Sequence, residues 1–271
     1  MPAKSGGERG SLDKLARSYL RDLRKRAGRK SLSRIEGFLD NLVGAARLKP
    51  EDPRQRGGDA GLLWVPGLTA RPWHDPASIP WLAEVRDAYP ELLRESRALR
   101  AAGRFRKSDE GRVDFTYDNW EVVDLQALDL YAAPGVARAI PIFFHENLKR
   151  APRAAALLRR FPVVADCFYS MLNPGGAVRP HWSSFNAKLF CHLGLEIPED
   201  CAMRVADEVR PWRERELTLF DDTFEHETWK RSQNPRVLFH IGVWHPDLTP
   251  FEIAAFTGWF RLLERGRKRA E

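Results

Sequence analysis

Along the first fifty residues apolar side chains recur at every third or fourth position, at Leu12, Leu15, Ala16, Tyr19, Leu20 and Leu23, and again at Ile35, Phe38, Leu39, Leu42, Val43 and Ala46. Each set is one stripe of an α-helix, so the pattern predicts a helical hairpin. The second helix is expected to start at Ser33, with Glu36 closing a capping box. Residues 1–10, with their Gly, Ser and Lys, are expected to be disordered, and the Pro-, Gly- and charge-rich stretch 50–58 reads as a linker. It divides an N-terminal arm, 1–58, from a main domain, 59–271.

Beyond that boundary the periodicity changes. Residues 64–76 are turn-rich with buried-type aromatics, 79–100 carry Leu, Val and Ala on one helical face, and a polar loop is expected at 103–111. Aromatic and β-branched content predicts strands at 115–130 and 140–144, and a basic helix is expected at 147–161. From Cys167 onward short strands follow one another at 168–172, 188–197, 202–205, 216–220 and 236–244, with "NPGG", "PED", "PW" and "NP" as the turn signals between them. Strands at such intervals argue for a closed or sandwiched β-structure that removes its own edges. The expected class is α+β, with helices flanking a β-core.

The 271-residue chain can bury one sizeable core, and its 43% hydrophobic content leaves room only for local disorder. No apolar run reaches the roughly 18 residues that span a bilayer, and the basic N-terminus has no signal-peptide core, so the expected location is the cytoplasm. Cys167, Cys191 and Cys201 have no CxxC spacing and read as buried free thiols. The net charge of +7 suggests a nucleic-acid binder until it is located. Residues 1–58 hold 15 Lys/Arg against 7 Asp/Glu, an excess of 8, which leaves −1 for residues 59–271. The basic stretch Arg24, Lys25, Arg26, Arg29, Lys30 can meet an anionic partner, and it equally fits a solvated helix face.

Of seven histidines, five fall in the β-rich C-terminal region. His181 follows "NPGGAVRP", read as a turn ending a strand, and His226 lies in the turn "DDTFEH" after the strand "LTLF". Two neutral imidazoles at strand ends can bind iron, zinc or copper. Each taken alone also fits a hydrogen-bonded structural residue. Arg236 opens the apolar strand "RVLFHIGVW" with no acidic neighbour in sequence, and an inward guanidinium of that kind suits an anionic, carboxylate-bearing ligand. His245 is expected to lock a turn and His240 to be a core or pocket-wall residue.

The blocks "YSMLNPGGAVRPHW", "CHLGLEIP", "FDDTFEHETW" and "VWHPDLTP", in that order, resemble the aspartyl/asparaginyl β-hydroxylase family, and "VPGLTARPWHDP" is similar to that family's entry segment. The resemblance covers roughly residues 62–252. It implies a double-stranded β-helix (jelly-roll, cupin-like) core and an Fe(II)- and 2-oxoglutarate-dependent hydroxylase. The activity implied is hydroxyl insertion into a C–H bond, at the β-carbon of an Asp/Asn-type residue in a peptide or amino-acid-derived substrate, with dioxygen consumed and succinate and CO2 released. His181 and His226 are then the metal ligands. Arg236 takes the remote carboxylate of 2-oxoglutarate with Ser170 as hydroxyl partner, and His192 reaches the cosubstrate from the neighbouring strand.

Ser183 occupies the position where most such oxygenases carry a carboxylate ligand, as the family's two-histidine centre implies. Asp221 and Asp222 can orient a water or a ligand imidazole, or shape the turn before His226. On the strand after His181 the family places basic residues for an acidic substrate group. Here Lys188 keeps that charge and Phe190 does not. The rival from another class is a non-catalytic β-barrel module, or a basic adaptor binding an acidic partner through residues 1–58. A zinc-dependent hydrolase ranks last, lacking a third strong ligand and a placed general base.

Overall fold

The computed structural model describes residues 5–28, 31–56, 63–107, 117–133 and 136–268. Residues 1–4, Arg29, Lys30, the end of the expected linker and residues 108–111 of the polar loop lie outside the described residues. The N-terminal elements are α1 (Ser5–Ala27), α2 (Ser33–Leu42), β1 (Trp73–His74), a 3-10 turn (Pro76–Ser78), α3 (Leu82–Asp87) and α4 (Tyr89–Ala101). Then come β2 (Arg106–Lys107), β3 (Tyr117–Ala133), β4 (Val136–Phe143), α5 (His145–Arg150) and α6 (Pro152–Arg160). The chain ends in β5 (Val163–His181), β6 (Lys188–Glu196), β7 (Cys201–Val205), β8 (Glu208–Pro211), β9 (Leu217–Phe220), β10 (His226–Lys230), β11 (Arg236–Trp244) and α7 (Pro250–Lys268). No helix among the described residues is long and apolar enough to cross a membrane.

The strands pair in the order β9-β6-β11-β5 and then β5-β10-β7-β8, so β5 belongs to both four-stranded halves. Its first part pairs with β11 (Leu172 opposite Arg236) and its last part with β10 (His181 opposite His226). An antiparallel roll in which one long strand passes between two such halves is a double-stranded β-helix, the jelly-roll form of closure. β3 lies along β5 on both sides of the bend, with Trp120 opposite Leu172 and Asp118 opposite Ala177.

Several expectations change here. "NPGG" does not end a strand. Ladder pairing to β3, β10 and β11 carries β5 through it, and the turn signal makes a bend instead. Gly175 adopts φ 72°, and a Cβ on Gly176 would sit 2.6 Å from Leu172 Cδ1 and 2.8 Å from the Asn173 carbonyl, so the bend needs both glycines. His226 opens a strand where a turn was expected, and β8 and α7 were not foreseen. Helix α1 already begins at Ser5, within the segment expected to be disordered. The capping box does not form, because Leu32 is the N-cap and Glu36 instead pairs with Arg24 at 2.8 Å.

Alternation along the central strands gives them two different faces. The outward set Leu189, Cys191, Leu193 and Leu195 of β6 packs with Val237, Phe239, Ile241 and Val243 of β11 beneath α3, α4 and α6. Buried Tyr169 ties this layer together: its hydroxyl donates to Glu95 of α4 at 2.7 Å, and the same carboxylate accepts Ala154 N–H of α6 at 3.2 Å. The inward set (Phe168 and Ser170; Lys188, Phe190 and His192; Arg236, Leu238 and His240) faces the interior of the roll. The N-terminal helices are docked on the same body. Leu20, Ile35, Phe38 and Leu42 share one apolar cluster with Phe185, Trp244, Phe256 and Trp259.

Gly194 marks the tightest crossing over the roll. A Cβ there would lie 2.2 Å from the Arg213 carbonyl oxygen, which is backbone and cannot rotate away. Gly194→Ala is expected to destabilise the protein by about 1–3 kcal/mol through overpacking. Chemical denaturation checks this, and an unchanged midpoint would contradict the crossing.

Candidate active site

His181 closes β5 and His226 opens β10, and they are direct partners across that pair. Their ring centroids are 4.1 Å apart. His181 Nδ1 lies 2.8 Å from the Arg179 carbonyl oxygen, and His226 Nδ1 lies 2.9 Å from that of Phe224. A carbonyl only accepts, so each Nδ1 carries the hydrogen and each Nε2 the lone pair. Burial pushes the pKa of both imidazoles down, that of His226 well below the ordinary value, with His181 adding to the effect. Two neutral, pre-oriented Nε2 donors side by side fit a divalent metal such as iron(II). Among the described residues no third His, Cys, Asp or Glu side chain joins the pair in a group that could hold a metal ion.

Both histidines line a cavity of about 360 Å³ inside the roll, and Arg236 and Ser170 line the same cavity. Arg236 is 2% exposed, and burial lowers its pKa to about 10, so it stays charged at neutral pH. Its Nη2 donates to Ser170 Oγ at 3.1 Å, its Nε has no hydrogen-bond partner, and its guanidinium carbon sits 4.8 Å from the centre of the Trp212 ring. Ser170 Oγ also accepts Trp120 Nε1–H at 2.8 Å. With both acceptor positions taken, the Ser170 hydroxyl hydrogen is available to a ligand. A buried cation beside a hydroxyl donor, with no carboxylate partner among the described residues, can accept an anionic group.

The third predicted cosubstrate residue is engaged within the protein. Trp212 Nε1–H points at His192 Nδ1 at 3.3 Å, which places the His192 hydrogen on Nε2, and that atom lies 2.8 Å from His240 Nδ1. The chain therefore sets the His240 hydrogen on Nε2. His192 is held neutral, its pKa lowered to about 3 by burial and then by Arg236. His240 is stacked on Phe168 and tilted against Phe190, both at 4.1 Å. The hydrogen-bond donor of this pair is thus on His240, the residue expected to be core or pocket wall.

Lys188 and Phe190 also line the cavity, but the Lys188 ammonium is bonded to Asp222 and sits 4.0 Å over the Phe190 ring. Asp222 therefore holds that cation, and its backbone carbonyl accepts Ser183 N–H at 2.7 Å, bracing the segment after His181. Asp221 shapes the turn, accepting Thr223 N–H at 2.9 Å, Thr223 Oγ1 at 2.6 Å and Gln55 Nε2 at 3.1 Å. Burial pushes its pKa up to about 7. Gln55 comes from the stretch read as a linker. His245 does lock a turn, accepting Asp247 N–H at 3.1 Å. Trp120 and Trp212 were missed as site residues, because nothing in a strand-like segment or after "RP" marks an indole N–H aimed inward.

The family model described as Aspartyl/Asparaginyl beta-hydroxylase matches residues 83–246. A human protein described as aspartyl/asparaginyl beta-hydroxylase is 44% identical over 108 residues, which are 38% of this chain and 14% of that protein. An ornithine lipid ester-linked acyl 2-hydroxylase of Rhizobium tropici is 26% identical over 196 residues, 69% of this chain and 64% of that one. Among solved structures, a Pseudomonas putida prolyl-4-hydroxylase overlaps with a TM-score of 0.36 and 14% identity, covering 58% of this chain and 86% of its own.

The depressed His192 pKa has a signed consequence. Its folded value, about 3, lies below the ordinary 6.5, so the unfolded chain takes up the proton first. The stabilisation is complete above pH 6.5 and is lost as pH falls from there toward 3, by at most about 1.4 kcal/mol per pH unit for this one site. His192→Asn should make the acid limb of the stability curve shallower by about that slope. Matching slopes for the two proteins would refute the assignment.

Proposed function

This chain belongs to the aspartyl/asparaginyl β-hydroxylase family, and on that premise we propose that it is an Fe(II)- and 2-oxoglutarate-dependent hydroxylase acting on an Asp- or Asn-type residue of a peptide or amino-acid-derived substrate. The observation that carries this reading is one cavity holding two neutral histidines and, apart from them, a buried Arg236–Ser170 pair with no carboxylate on it.

His181 and His226 hold the metal through Nε2, kept in that tautomer by the Arg179 and Phe224 carbonyls. When bound, iron(II) with 2-oxoglutarate and dioxygen supplies the oxidising power: the keto acid becomes succinate and CO2, one oxygen atom going to succinate and the other into the substrate C–H bond. Arg236 and the Ser170 hydroxyl grip the remote carboxylate of 2-oxoglutarate, and burial among Trp120, Trp212 and Leu238 keeps water from that contact. The Trp212–His192–His240 hydrogen-bond chain orients the His240 ring on the cavity wall, where it can steady cosubstrate or substrate oxygen. Phe168, Phe190 and Phe220 line the cavity with apolar surface, which keeps solvent from the reacting carbon.

Two variants separate the roles. His226→Ala should lose iron(II) binding, seen as loss of the visible charge-transfer band of the anaerobic iron(II)–2-oxoglutarate complex, and with it succinate release. Arg236→Leu should keep the metal and raise the KM for 2-oxoglutarate about a hundredfold, the scale expected on removing one partner of a buried charge contact. An intact charge-transfer band in the first variant, or an unchanged KM in the second, would sink the reading.

A further inference from the structure

A second cavity, about 460 Å³, lies against the first, and the two share Trp120 and Phe168 as walls. Three cations line it: Arg104, Arg106 and Lys107. Arg104 is fixed in place, its Nη2 donating to Asn147 Oδ1 at 3.0 Å while Asn147 Nδ2 donates to the Asp124 carbonyl of β3 at 2.8 Å. Its Nε is buried with no hydrogen-bond partner. Arg106 and Lys107 are exposed, and among the described residues no carboxylate forms an ion pair with any of the three. Glu146, on the same wall, is drawn off by Lys149 at 2.7 Å.

On the reading of this chain as a peptide hydroxylase, we propose that this cleft binds the carboxylate of an acidic residue flanking the hydroxylated position in an extended polypeptide. Trp120 and Phe168 stand between the cleft and the metal-binding histidines, so the anionic group and the reacting carbon belong to different residues of the ligand. Among the described strands β2, formed by Arg106 and Lys107, pairs only with β3, which leaves its outer edge able to receive an extended backbone. The cleft's apolar walls, Trp120, Val122 and Phe168, suit the side chains and backbone of a peptide beside its anionic group. The cleft also touches the chemistry, because Trp120, which lines it, donates to the Ser170 hydroxyl beside Arg236.

The test uses the full chain loaded with manganese(II) and the inert analogue N-oxalylglycine, so that binding is read without turnover. Fluorescent nonapeptides with a central Asp or Asn carry Glu, Gln or Lys at each flanking position in turn, and anisotropy gives Kd. At one or more flanking positions Glu should bind about tenfold more tightly than Gln, the scale of one charge-assisted contact, and added salt should erode the difference. Arg106→Glu with Lys107→Glu, both on the surface, should reverse the preference toward Lys, and Arg104→Gln should flatten it; a melting curve for each variant confirms that it is folded. Equal affinities for Glu and Gln peptides at every position, or a Glu preference that survives charge reversal, would overturn the proposal. So would charge-dependent binding of phosphatidylglycerol vesicles through these residues without any peptide preference. A parallel 2-oxoglutarate titration reports on the hydroxylase reading separately: its failure there leaves the peptide result standing as a test of the cleft.

Discussion

β5 has to belong to both halves of the roll, and the bend at residues 173–176 that permits this governs what meets inside. Before the bend the strand pairs with β11 and carries Ser170; after it the strand pairs with β10 and carries His181. A strand's side chains alternate, so a one-residue slip on either side would turn one of these two groups outward. The ladder to β3 spans the bend and holds both registers at once. His181 and His226 on one side and Ser170 with Arg236 on the other are thus set relative to each other by backbone pairing, before any side-chain contact is counted.

Inside the roll two cations are treated in opposite ways. Lys188 is paired with Asp222, whose backbone carbonyl in turn braces the segment leading from His181. Arg236 has a serine and an indole face but, among the described residues, no carboxylate. A desolvated, uncompensated guanidinium costs folding free energy, a cost that an anion placed beside it would offset. The same burial that makes the fold less stable there makes the seat selective for an anion. Histidines show the converse: burial keeps His181, His192 and His226 neutral, which suits ligation and hydrogen-bond relay.

Enclosure comes from the helices. Because α3, α4 and α6 cover the outward face of β6 and β11, both faces of these strands are buried and their sequences read as nearly continuous apolar runs. The N-terminal pair and α7 close another side through Phe38, Phe185, Trp244 and Phe256. Among the described strands β2 pairs with β3 alone, and the second cavity lies beside it.

Much of this was legible from residue order alone. The helical stripes and the strands at Lys188 and Arg236 follow from local periodicity, and side-chain chemistry singled out a lone Arg on an apolar strand, whereas the choice of His181 and His226 rested on the family resemblance. Ser33 and Glu36 misled, since a capping box competes with any partner tertiary structure offers, and Arg24 offered one. "NPGG" misled because a turn signal reports local backbone freedom, whereas ladder pairing from three strands decided that the chain would continue. What only the tertiary structure could decide were long-range partners: Asp222 on Lys188, Trp212 and His192 on His240, Trp120 on Ser170, Gln55 on Asp221. Sequence determines which groups exist and which face of a strand they take. Which donor meets which acceptor depends on how the roll closes, and that is a property of the whole chain.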